Sequence, residues 1–354
     1  MVAANPDMTE TSAHAAQDRA RPDLLARWLW IVAGLVVAIV TVGGITRLTE
    51  SGLSITEWKP FLGALPPMSQ ADWQAEFELY KHIPEYTQIN GPAGMDLEAF
   101  KQIYWWEWIH RQMGRLIGLA LAVPFIWYWV RGQIPEGYKL RLFALVALVG
   151  LQGSFGWWMV ASGLEARTDV SHFRLSVHLL TALFLLGGLV WTALDLKRHP
   201  QAPARLTGFA WAVLAVLFVQ FLLGAWVAGL NAGHASDSWP LMQGRLMPEF
   251  GTQDGLLAAV TNDPFLIHWL HRWWAWIAFV AILLLARRVK PLDRPASITL
   301  HTLIGLQLLL GILTVLSGVA LWIAVAHQLV GALLVSAFAW GTHSMGAARV
   351  PEGA

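Results

Sequence analysis

The chain has 354 residues, 56% hydrophobic and only 13% charged, with a net charge of +1 and 21 tryptophans. Its apolar runs reach the ~20 residues needed to cross the ~30 Å hydrocarbon core of a bilayer. This excludes an ordinary soluble domain and makes the chain a polytopic α-helical membrane protein, with no nucleic-acid partner expected. The absence of cysteine excludes disulfides, thiolate–metal centres, iron–sulfur clusters and covalent c-type haem attachment.

Residues 1–27 read as a polar cytoplasmic tail, with Arg19, Arg21 and Arg27 just before or at the edge of the first apolar run. That run begins late and seven more follow, so a cleavable signal is not expected. Spans are predicted at 28–46, 104–130, 139–162, 173–194, 207–230, 264–287, 297–318 and 321–344, and a second cytoplasmic tail at 346–354. With the N-terminus inside, the inner connections carry cationic clusters such as Arg131, Lys139 and Arg141, or Arg287, Arg288, Lys290 and Arg294; Arg349 follows span 8. The much longer outer segments carry about half as many cations, spread thinly from Arg47 to Arg245. This asymmetry places both termini inside. The long loops 47–103 and 231–263 then both lie outside, where they are expected to cover a site. Within the first loop, Asp72–Phe77 has the pattern of a short amphipathic interfacial helix, or of a solvated loop cap.

The chain repeats itself. Gly150-Leu151-Gln152, Gly156 and Ser162-Gly163 of span 3 recur at one constant separation as Gly305-Leu306-Gln307, Gly311 and Ser317-Gly318 of span 7. Likewise His110-Arg111 in span 2 matches His271-Arg272 in span 6, and His178 in span 4 matches His327 in span 8. The expected fold is therefore all-α, with eight transmembrane helices as two tandem pseudo-symmetric four-helix bundles. The N-terminal bundle takes residues 28–205 and the C-terminal bundle 206–345.

The four paired histidines lie about six residues inside the outer starts of their predicted spans, roughly 8–11 Å below the outer surface at 1.5 Å per residue. An imidazole at that depth is costly unless it is bonded to something. Two neutral imidazoles facing each other across a bundle form an axial pair for haem iron. Gly114 and Ala275, one turn beyond His110 and His271, leave room for a flat macrocycle. His82, His172, His199, His234, His301 and His343 are expected to be interfacial or locally hydrogen-bonded, and His14 sits uninformatively in the tail.

The halves differ at one telling position. Glu107 stands three residues before His110, where the second half has His268 before His271. At that spacing it shares a helical face with the ligand. Either it serves chemistry in the first pocket or it pairs with Arg111 or Arg115. The first alternative assigns reaction to spans 1–4 and an electron-transfer or structural haem to spans 5–8. Arg47, Arg111 and Arg272, near outer helix ends, suit haem propionates or lipid headgroups equally. The tryptophans at 105, 106, 108, 157, 158, 273, 274 and 276 fit aromatic belts and core packing better than macrocycle stacking.

Together these residues resemble the haem A synthase family over nearly the whole chain. The resemblance rests on Gly43-Gly44-Ile45-Thr46-Arg47-Leu48-Thr49-Glu50-Ser51-Gly52-Leu53-Ser54, Trp58-Lys59-Pro60, Glu107-x-x-His110-Arg111 and Ala228-Gly229-Leu230-Asn231-Ala232-Gly233. Trp239-Pro240-Leu241-Met242, Gly244, Pro248 and the settings of His271 and His327 complete it. The resemblance implies an oxidoreductase of the bacterial inner membrane that converts haem O to haem A, oxidising a ring methyl to formyl via hydroxymethyl. It implies a haem b held by His271 and His327, substrate haem between His110 and His178, and an essential glutamate at Glu107. Haem O synthase and an electron-transfer partner would cooperate with it, and the glycine-rich spans permit homo-oligomer contacts. Some members of the family carry a cysteine pair in an outer loop; this chain resembles the cysteine-free type found in proteobacteria and mitochondria. A quinol-linked diheme b-type electron carrier and a haem transfer or assembly protein are the rival readings. The first gives no reason for a glutamate in only one bundle, and against the second the histidines lie toward one face rather than at the midplane.

Overall fold

A computed structural model describes residues 19–347 except 61, 199, 252 and 254. His14, His199, Arg349 and most of both predicted tails lie outside the described residues. The described residues form helices, short 3-10 and π turns and loops, with eight helices long and apolar enough to cross a membrane. They are α1 (Pro22–Leu48), α2 (Leu97–Val130), α3 (Lys139–Ala161), α4 (His172–Arg198), α5 (Gly208–Gly229), α6 (Pro264–Val289), α7 (Arg294–Leu316) and α8 (Leu321–Ala347).

Local chemistry sets several helix starts. The Asp96, Thr207, Asp263 and Asp293 side chains accept the free amide hydrogens of residues 99, 210, 266 and 296. Proline stands in the first turn of α1, α6 and α7, where its missing N–H costs nothing. The Asp96 cap explains the largest boundary difference: α2 begins at Leu97 rather than at 104. Its extra two turns project outward and bury Phe100 and Tyr104 against Phe77 and Tyr80 of a helix at Gln70–Tyr80. That helix, headed by a Ser69–Asp72 capping box, contains the predicted 72–77 segment and packs on protein.

Within the first half, α1 packs on α2 and α4, and α3 packs on α2 and α4. In the second, α6 packs on α5 and α7, and α7 on α8. The halves meet where α4 and α1 touch α8 and where α4 touches α5. Burial follows this plan: half of the apolar window of α4 is buried against 11% of that of α3, so α4 is central and α3 presents its apolar face outward to lipid. The main apolar core runs through α1, α4 and α8, with Leu29, Val32, Leu186, Leu189, Ala332 and Ala339 among its members.

Opposite ends of the molecule are tied by different chemistry. At one end Lys197 of α4 pairs with Asp23 of α1 at 2.6 Å, and Arg198 reaches Asp293 and Ser344. Beside them Asp195 accepts from His343 of α8 and Arg141 of α3. At the other end Arg47 of α1 donates to Asn231 beyond α5 at 2.8 Å. The helices thus alternate in direction, as an even number of spans requires.

Candidate functional site

The first half encloses a cavity of about 760 Å³, within the ~300–1,000 Å³ common for cofactor and small-molecule sites. His110 of α2 and His178 of α4 both line it, each half-buried, and so do Glu107, Arg111, Arg115, Arg47 and Trp157. Most of the remaining wall is glycine and aliphatic, including Gly43, Gly114, Gly118, Gly153, Ile39 and Val149. Such a wall is largely apolar, with a few charged and polar side chains set into it.

Glu107 is 3% exposed and entirely satisfied. Its Oε2 accepts from the Ser54 hydroxyl at 2.7 Å and the Ile55 amide at 2.8 Å. Its Oε1 accepts from Arg111 Nε at 3.0 Å and Nη2 at 2.6 Å. Arg111 also donates to the carbonyls of Ile55 and Glu57. The ion pair with Arg111 is thus present, and the paired carboxylate also borders the cavity. The second half repeats the scheme with other residues. Arg272 Nε donates to His268 Nε2 at 3.0 Å, and its terminal nitrogens donate to the carbonyls of Ser238 and Ser236. In each half the arginine after the histidine fastens the preceding loop onto its helix.

All four paired histidines rest edge-on against a glycine of a neighbouring helix. A methyl group added to Gly43, Gly156, Gly224 or Gly311 would lie 2.9, 3.1, 3.0 or 3.1 Å from Cε1 of His110, His178, His271 or His327. A side chain at Gly43 would force the ring to shift, and one at Gly156, Gly224 or Gly311 would need the ring to give by a few tenths of an ångström. Amide side chains flank three of the rings. Gln152 Nε2 lies 3.1 Å from His178 Nδ1, Gln220 Nε2 lies 3.2 Å from His271 Nδ1, and Gln307 Nε2 lies 3.4 Å from His327 Nε2. Among the described residues no three His, Asp or Glu side chains converge on a metal position. Paired imidazoles then suit a metal whose remaining ligands come from a macrocycle.

Residues 26–339 match the COX15-CtaA family, described as cytochrome oxidase assembly protein. The chain belongs to this family. It is 63% identical to a Heme A synthase of Erythrobacter litoralis over 93% of this chain and 99% of the relative. It is 60% identical to a Heme A synthase of Sphingopyxis alaskensis over 96% and 98%. A Heme A synthase of Bradyrhizobium diazoefficiens is 46% identical over 86% of each chain.

In this COX15-CtaA member the other predicted positions sort by their partners. Arg47, besides bonding Asn231, lies 3.5 Å from Asp169 and lines the cavity, and its buried Nε has no partner. Arg115 also lines the cavity; it donates to the carbonyls of Lys59 and Pro60 and keeps Nη1 unpartnered. Arg272 is 5% exposed beneath its loop. Trp157 stacks on Trp58 with centroids 5.6 Å apart. His82 and His301 bond the carbonyls of Glu78 and Ser297 one turn away, while His172 and His343 bond Thr261 and Asp195 on distant segments, so all four are hydrogen-bonded to a neighbour. Sequence reasoning missed Ser54, Gln220 and the roles of Gln152 and Gln307. The repeat of Gly150-Leu151-Gln152 as Gly305-Leu306-Gln307 was the signal for the last two.

Proposed function

We propose that this chain is a haem A synthase that oxidises a ring methyl of haem O to formyl, via hydroxymethyl, in the cavity between His110 and His178. The observation that carries the reading is that one cavity holds two facing-helix imidazoles, a buried carboxylate and glycine-lined walls, in a chain 63% identical to a Heme A synthase. The residues fit a haem in each half. An imidazole bound to iron through Nε2 carries its proton on Nδ1, which needs an acceptor. The buried Oε1 atoms of Gln152, Gln220 and Gln307 have no partner, and a glutamine amide can turn over without change of shape to offer that oxygen.

His110 and His178 would hold the substrate iron, and partners of the haem carboxylates would set how the ring is turned. Arg47 Nε and Arg115 Nη1 are the unpartnered donors suited to its carboxylates. Glu107 acts as an anion. Its carboxylate, held by donors from Ser54, Ile55 and Arg111, favours positive character developing on the methyl carbon under oxidation. Arg111 and the Ser54–Ile55 turn hold that charge in place and keep bulk water from the reacting edge. His271 and His327 would hold a haem b, which when bound supplies one-electron transfer. Residues 28–205 then form the substrate bundle and 206–345 the haem b bundle. Both termini face the cytoplasm, and an electron-transfer partner and haem O synthase serve the membrane-embedded protein.

Chromatography and mass spectrometry of haems extracted from the purified protein, co-expressed with a haem O source, test this directly. Haem B together with haem O, hydroxylated haem O and haem A is the expected result. Haem B alone, at two equivalents, would replace the proposal with a diheme electron carrier.

A further inference from the structure

The four histidines stand on one repeated piece of architecture, and one copy is incomplete. Each ring lies against a glycine, and at three of the four sites the residue one helical turn before that glycine contacts the same ring. Before Gly156, Gly224 and Gly311 this residue is Gln152, Gln220 and Gln307, each within 3.1–3.4 Å of an imidazole nitrogen. Before Gly43 it is Ile39. The Ile39 side chain occupies the corresponding place: its Cδ1 lies 3.8 Å from where a methyl group on Gly114, one turn beyond His110, would sit. Among the described residues the His110 side chain makes no hydrogen bond; its buried Nδ1 is unpartnered, as is that of His327, but the His327 ring has Gln307 at Nε2 and the His110 ring has no amide beside it.

From this asymmetry we infer that His178 is the fixed ligand of the substrate iron and His110 the releasable one, so that an exogenous small ligand binds iron on the His110 face. The inference rests on the reading that the first cavity holds a haem. An acceptor on Nδ1–H fixes the ring and makes Nε2 a better donor, and loss of such an outer partner typically weakens a metal site about 10–100-fold. Ile39 denies His110 that support, whereas Gln152 provides it to His178. The position fits a substrate site. A haem that must enter and leave needs one bond that breaks readily, whereas His271 and His327 each have a glutamine amide beside the ring, at Nδ1 of His271 and at Nε2 of His327. The released face is also the Glu107 face, since Glu107 and His110 share α2 one turn apart.

Carbon monoxide is the probe. The full-length protein, purified with substrate haem bound, is reduced and titrated with carbon monoxide by absorption spectroscopy, with low-spin and high-spin signals of the oxidised form followed by electron paramagnetic resonance. The wild type is expected to bind carbon monoxide at the substrate haem and not at haem b. Ile39→Gln should weaken that binding about 10–100-fold and raise the low-spin fraction, while Ile39→Leu, a packing control, should leave it unchanged. Gln152→Leu should not protect the iron, because it loosens only the opposite ligand. Gln220→Leu should make haem b reactive. Unchanged carbon monoxide affinity in Ile39→Gln, or a substrate haem inert to carbon monoxide in the wild type, would overturn the inference. Bound haem content unaltered by joint replacement of His110 and His178 would overturn the underlying reading as well, and is told apart by stoichiometry alone.

Discussion

Arg111 closes on Glu107 from within the same helix, its Nε and Nη2 lying 3.0 and 2.6 Å from one oxygen of the carboxylate. The other oxygen takes the Ser54 hydroxyl and the Ile55 amide, so a single buried anion joins α2 to the outer loop. Glu107→Gln keeps the shape and removes the charge. Haem A formation is expected to fall on the order of 10²-fold, as for loss of one preorganised electrostatic group, with haem content retained. Glu107→Ala also removes the partner of the Ser54 hydroxyl, the Ile55 amide and the Arg111 guanidinium and should destabilise the protein by about 3–5 kcal/mol. The haem A to haem O ratio and thermal unfolding in detergent separate the two effects. Full activity with normal haem content in Glu107→Gln would remove Glu107 from the reaction.

Glu85 stands in the outer cap, 4% exposed, beside the Tyr80 hydroxyl at 3.1 Å. Burial pushes its carboxyl up from 4.5 to about 8, with Tyr80 opposing the shift and Glu50, Glu107 and Asp169 adding to it. The folded state therefore holds a proton that the unfolded chain has lost between about pH 4.5 and 8. Stability falls as pH rises through that window, because the unfolded state binds fewer protons there. Melting temperature followed from pH 5 to 8.5 should decline in the wild type and decline less in Glu85→Gln. Parallel profiles for the two proteins would assign the slope to other groups.

Glycines of the spans are not equivalent. A methyl group on Gly224 would press on His271 Cε1 at 3.0 Å, whereas one on Gly305 meets nothing within 4 Å. Gly224→Ala is expected to displace the imidazole and lower haem b content, and Gly305→Ala to leave it unchanged. Equal pyridine haemochrome yields from both variants would contradict the edge-on packing of the ring.

Asp195 is fully buried, and it accepts from His343 at 2.8 Å, Arg141 at 2.5 Å and the Ala204 amide at 2.9 Å. It ties α3, α4 and α8 together roughly 25 Å along α4 from His178, at 1.5 Å per residue. Asp195→Ala leaves a cation without its partner and should cost about 3–5 kcal/mol of stability. The absorption spectrum of bound haem should not move, since no ligand touches this network. A changed spectrum with unchanged melting would reverse that division of roles.

Much of this was legible along the chain because membrane helices are specified locally. Twenty apolar residues must form a helix to satisfy their own backbone, whatever surrounds them. The eight spans, the repeat, the paired histidines and the unmatched Glu107 follow from that rule and from simple spacing. Boundaries shifted where a cap decided them, as Asp96 did for α2. The pairing of Glu107 with Arg111 was one of two open alternatives, since an i, i+4 pair is a local geometry.

What the tertiary structure alone decided is which distant groups meet. Ser54 and Ile55 reach Glu107 across more than fifty residues, Gln220 reaches His271 across 51, and Gln328, beside His327, donates to the Val40 carbonyl across 288. No periodicity encodes such contacts. They arise from the packing of whole helices, which small residues such as Gly43 and Gly224 allow to approach closely. The same reason explains why Arg111 and Arg272 turned out to hold outer-loop carbonyls. Their positions at helix ends were local facts, whereas the loop that folds back over each of them was not.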